Sequence, residues 1–75
     1  MQRYKNLGGN SGVRAFEIGP TSILVEFRGG TLYLYTGASA GQDNLETMKQ
    51  LAQVGQGLNT FISQVVRKRY EAKLR

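Results

Sequence analysis

The stretch Ser22-Ile23-Leu24-Val25-Glu26-Phe27-Arg28-Gly29-Gly30-Thr31-Leu32-Tyr33-Leu34-Tyr35-Thr36 decides the fold. Two runs rich in β-branched, leucine and aromatic residues flank a glycine pair. Glycine reaches the positive φ that tight hairpin turns need, so the stretch reads as an antiparallel hairpin. Its register has two solutions. A two-residue Gly29-Gly30 loop pairs Arg28 with Thr31 and Phe27 with Leu32, and places Tyr33 and Tyr35 on the face of Leu24 and Glu26. A three-residue loop pairs Phe27 with Thr31 and places both tyrosines with Val25 and Phe27. Tyr33 and Tyr35 accordingly either stack bases from an exposed sheet face or join the core with their hydroxyls at its rim.

Upstream, Val13-Arg14-Ala15-Phe16-Glu17-Ile18 is a short mixed run closed by Gly19-Pro20, and proline cannot donate to a ladder. It reads as a first strand, so residues 13–36 form a three-stranded antiparallel meander. Residues 1–12 contain Gly8, Gly9 and Gly12 with Asn6, Asn10 and Ser11, the composition of a flexible N-terminal arm.

Downstream the hydrophobic period changes. Gly37 to Gln42 is a loop of small residues, and Asp43 with Glu46 approximates a capping box. Leu45, Met48, Leu51 and Ala52 recur at helical spacing up to a stop expected at Gly55. After the corner Gln56-Gly57, the residues Leu58, Phe61, Ile62, Val65, Val66 and Tyr70 describe an amphipathic helix running nearly to the C-terminus. Asn59 caps or turns the start of that helix, or serves in surface recognition. The expected class is α+β: a three-stranded antiparallel β-meander followed by two α-helices packed on one face, in one domain spanning residues 13–75.

A chain of 75 residues supports one small core. It contains no Cys, His or Trp, which excludes a disulfide framework, a zinc finger, a thiolate nucleophile and any histidine-dependent base. The carboxylates offer little chemistry. Asp43 and Glu46 are explained by capping, and Glu17 and Glu26 read as edge charges beside Arg14 or Arg28. The glycines match neither phosphate-cradle fingerprint. No enzyme, metal, cofactor or small-molecule substrate is expected. The basic N-terminus lacks an apolar stretch behind it, and the longest aliphatic run is Ile23-Leu24-Val25. Neither a secretory signal nor a membrane span is expected, and cytoplasmic is the default location.

The net charge of +5 is uneven. Through residue 56 five basic groups face four acids, whereas residues 57–75 hold five basic groups against Glu71 alone. Arg67, Lys68, Arg69, Lys73 and Arg75 read either as a phosphate-contacting surface or as cations that stabilise a helix C-terminus. Three consecutive helical residues point about 100° apart, so they make no flat patch by themselves. Arg14 and Arg28 extend the basic candidates across the sheet edge. The middle strands are apolar on both faces: Leu24 opposes Ile23, Val25 and Phe27 on one strand, and Leu32 and Leu34 oppose Tyr33 and Tyr35 on the other. Two helices cover one face, so Leu24, Leu32 and Leu34 are the candidate interface for a second copy of the chain or another protein, unless the N-terminal arm closes a small satellite cluster there.

The hairpin with Tyr33-Leu34-Tyr35, then Gly55-x-Gly57-Leu58-Asn59-x-x-Ile62 and a late Tyr70, resembles the KTSC domain over about residues 11–70. Domains of this family occur alone in bacterial and phage proteins and at the C-terminus of some lysyl-tRNA synthetases. The resemblance makes Tyr33, Tyr35, Gly57, Asn59, Ile62 and Tyr70 the family-motif positions and favours the three-residue hairpin loop. It implies RNA as a partner. The chain departs from the family pattern between Thr36 and Gly41, where such domains carry an aromatic or proline-containing stretch. Its last helix, as read here, is also longer. Two functions are therefore expected as alternatives: a non-enzymatic RNA-binding accessory module, or a module that associates with itself or another protein through the second sheet face.

Overall fold

The hairpin adopts the three-residue loop. In the computed structural model, which describes residues 1–75, Gly29 and Gly30 take φ angles of 88° and 91°. The Phe27 N–H donates to the Thr31 carbonyl at 2.8 Å. Val25 therefore faces Tyr33 and Ile23 faces Tyr35.

Five antiparallel strands lie in chain order: β1 (Gln2–Arg3), β2 (Val13–Ile18), β3 (Ser22–Phe27), β4 (Leu32–Thr36) and β5 (Ala72–Lys73). The helical part comprises α1 (Gly37–Ala40), α2 (Gln42–Val54) and α3 (Leu58–Phe61), which runs on as a π-helical turn over Ile62–Val66. The meander and the α+β class are as expected, but the sheet has two more strands and the helices number three rather than two, because Gly37–Ala40, expected as loop, forms α1 under the Thr36–Ser39 cap. Each added strand is only two residues long, and together they flank the meander on its two edges.

Both added strands come from segments assigned other roles. The N-terminal segment is not a free arm: Gln2 and Arg3 pair with Phe16 and Ala15, and the Tyr4 N–H donates to the Arg14 carbonyl. Tyr4 is 3% exposed, and its hydroxyl accepts the Leu58 N–H at 3.2 Å. That bond satisfies a backbone donor at the start of α3, which would otherwise be orphaned. The last helix ends at Val66. Arg67 takes φ 47°, the chain reverses, and Glu71 and Leu74 donate to the carbonyls of Leu34 and Leu32. Leaving the helix lets the tail cover the open edge of β4, which would otherwise present unpaired backbone groups.

One mixed core lies between sheet and helices. Phe16, Ile23, Val25 and Tyr35 from the sheet meet Leu45, Met48 and Ala52 of α2, with Leu58, Ile62 and Val66 from the last helical segment. Burying each large side chain contributes about 1.5–3 kcal/mol. Gly55 ends α2 in the left-handed conformation at φ 86°, as its position suggested. The start of α2 differs from expectation. Gly41 precedes its first residue, Gln42, and no side chain caps it. Asp43 lies inside the first turn, and Glu46 binds Gln42 and Lys49. The capping box sits instead at α1, where Thr36 and Ser39 exchange side-chain bonds with each other's N–H.

Candidate nucleic-acid interface

A single irregularity in β2 shapes the basic surface. Val13 pairs with Phe27 and Ala15 with Glu26, leaving Arg14 as the extra residue of a β-bulge. The bulge also explains the broken alternation of Val13-Arg14-Ala15-Phe16, because Val13 and Phe16 both reach the core. Arg28 opens the adjacent β3–β4 loop, held by donation from its N–H to the Gly12 carbonyl at 2.9 Å. Arg3 comes from β1. Arg3, Arg14 and Arg28 line one open hollow of about 420 Å³ together with Tyr4, Asn6 and Val13.

None of the three arginines has a carboxylate partner. The three ion pairs of the chain lie elsewhere: the N-terminal ammonium with Glu17, Lys49 with Glu46, and Arg75 with Glu26. Glu71 accepts from the Thr36 hydroxyl at 3.0 Å. Three arginines lining one concavity favour an anion there, and arginine's planar fork matches phosphate oxygens.

The remaining basic candidates are dispersed. Arg67, Lys68 and Arg69 occupy the reversal after the π-helical turn and are exposed, while Lys73 lies on β5. The basic residues do not line a helix: Arg67 is the C-cap of the last helical segment, with Lys68 and Arg69 directly after it, where cations still complement the helix C-terminus, whereas Lys73 and Arg75 lie beyond it. Arg75 is not free: its Nη2 lies 3.0 Å from Glu26 Oε2, spanning β4 at Leu32.

The motif positions separate into two groups. Tyr33, Tyr35 and Tyr70 form one aromatic cluster, with Tyr33 and Tyr70 ring centroids 4.5 Å apart. Tyr35 is fully buried, whereas Tyr33 and Tyr70 pack from the core's margin. This arrangement assigns the sheet tyrosines to packing. Ile62 is a core residue. Gly57 and Asn59 instead line a second cavity of about 300 Å³, and Gly57 rather than Asn59 precedes the first turn of α3.

The outer sheet face carries no helix. Leu24 pairs directly with Leu34, Leu34 pairs with Ala72, and Leu32 pairs with Glu26. All three leucines are at least partly buried by their neighbours, Leu32 to 9% exposure. The arm closes no satellite cluster over them, because its Tyr4 belongs to the main core on the other face.

Sequence reasoning missed Arg3, Tyr4 and Asn6. A basic–aromatic pair ahead of the glycines was the available signal, but its two-residue strand is too short to show a period. No family model matches the chain, and no curated protein or solved structure matches it. No helix is long and apolar enough to cross a membrane.

Proposed function

We propose that this protein is a small non-enzymatic nucleic-acid-binding module. It holds the phosphate backbone in the hollow bordered by Arg3, Arg14 and Arg28, with Arg67, Lys68, Arg69 and Lys73 adding a wider positive field. The observation that supports this reading is that three arginines, none in an ion pair, line one concave surface. Membership of the KTSC family belongs to the same proposal and rests on the motif positions described above.

Phosphate contacts release counterions, so binding to a single strand falls with salt by about 0.7 in log K per contact and per decade of salt. Fluorescence anisotropy with labelled single-stranded RNA tests this. Affinity is expected to fall between low and moderate salt, and Arg14→Glu with Arg28→Glu to abolish binding. Arg67→Glu with Arg69→Glu is expected to weaken it less. Binding that survives the first double change, or that ignores salt, overturns the reading.

A second reading is supported by the uncovered Leu24–Leu34 pair: self-association through the outer sheet face. It predicts a dimer by light scattering that Leu34→Glu dissociates. A monomer at high protein concentration rejects it.

A further inference from the structure

We propose that the second cavity reads the ribose 2′-hydroxyl, so that the protein prefers RNA to DNA of the same base sequence. The proposal rests on the backbone-binding function above and adds to it the kind of sugar that fits.

The cavity of about 300 Å³ lies between the Asn6–Ser11 loop and the Gly55–Thr60 corner, and Tyr4 is its only hydrophobic lining residue. No cation or carboxylate lines it, so it lacks the charge pairing that the arginine hollow offers a phosphate. The Tyr4 ring is buried in the core, which leaves no free aromatic face on which a base could stack. Side-chain amides remain. Asn10, Gln56 and Asn59 make no side-chain hydrogen bond within the chain. An amide offers a donor and an acceptor side by side, and a hydroxyl needs both.

The loop is held ready. Asn6 Oδ1 accepts the Ser11 N–H and Ser11 Oγ accepts the Val13 N–H, both at 3.0 Å, which leaves the Asn6 amide nitrogen free to donate. The Tyr4 hydroxyl accepts from Leu58, and its own proton remains available. Tyr4 and Asn6 line both this cavity and the arginine hollow, so the two share a wall. A cationic recess beside a neutral, hydroxyl-matching one fits a phosphate and its adjoining sugar. The 2′-hydroxyl, both donor and acceptor, is the group by which a protein tells RNA from DNA.

The test is anisotropy competition between an oligouridylate and the oligodeoxyuridylate of equal length, at fixed low salt. The native chain is expected to prefer the ribose strand about fivefold or more, the effect of one net hydrogen bond. Asn59→Ala is expected to bring the ratio close to unity with the salt dependence unchanged. Gln56→Ala, at an exposed position, is expected to lower it and serves if Asn59→Ala disturbs folding. Arg14→Glu should weaken both strands in proportion. Equal affinity of the native chain for the two strands overturns this inference while sparing the backbone reading, and so does an unaltered ratio in both amide variants. Absence of binding to either strand overturns both.

Discussion

The tyrosine cluster and the arginine hollow each gather three long side chains from distant parts of the chain, and they use them in opposite ways. Tyr33, Tyr35 and Tyr70 pack on one another, with Tyr35 and Tyr70 nearly perpendicular at 87°. Edge-to-face packing of this kind stabilises by about 0.5–1.5 kcal/mol beyond area burial. Arg3, Arg14 and Arg28 bring like charges to the rim of one hollow without a counter-charge. Folding accounts for the first cluster. The second gains nothing from folding by itself, because like charges brought together repel. A bound anion would turn that repulsion into attraction, which is why the hollow and not the aromatic cluster is the functional candidate.

The largest effect that would sharpen this contrast is on the aromatic side. Tyr35→Ala removes a fully buried ring and is expected to cost about 3–5 kcal/mol, most of the stability of a domain this small. Far-UV circular dichroism should show the variant largely unfolded at 25 °C. A cooperative, near-native melt would mean that the cluster is peripheral.

The next effect is on pH dependence. Burial, followed by the neighbouring Tyr33 and Tyr70, pushes the Tyr35 hydroxyl up to about 12 from its ordinary 10.0. The folded state therefore holds this proton more tightly than the unfolded state does. Its contribution to stability is complete below pH 10 and is lost as pH rises towards 12, by about 2–3 kcal/mol in all. Urea melts at pH 9 and pH 11.5 should differ accordingly, and Tyr35→Phe should remove much of that difference.

Tyr4 sits between the two regions, buried in the core yet lining the hollow, and it carries the smallest of these effects. Tyr4→Phe leaves the Leu58 N–H without its acceptor, at a cost of about 1–3 kcal/mol. Hydrogen exchange should show faster opening at the start of α3. Unchanged protection there would break the claim that the N-terminal segment is part of the fold.

The central elements were readable because each carried a strong local signal. Gly19-Pro20 and Gly29-Gly30 punctuate the strands, and Gly55 ends α2 where its left-handed conformation is needed. The termination of the last helix had no such signal. Leu58, Ile62 and Val66 keep a buried stripe, and nothing in Arg67-Lys68-Arg69 marks a stop. Val65, which extended the apparent periodicity, is 43% exposed. The reversal is set by two non-local demands: an edge for β4 and a place for Tyr70 against Tyr33. The candidate site was partly legible. Arg14, Arg28 and Asn59 stand out in the sequence as candidates, whereas Arg3, Asn6, Asn10 and Gln56 do not.

The antiparallel meander, a helix stopped by Gly55 and the lack of cysteine and histidine chemistry were legible in the residues alone. Those features follow from turn residues, local periodicity and composition. Tertiary structure alone decided that both chain ends become edge strands, that Tyr4 enters the core, and that three arginines border one hollow. Two-residue strands have no period to read, and their pairing is favourable only once the meander has formed the edges they complete.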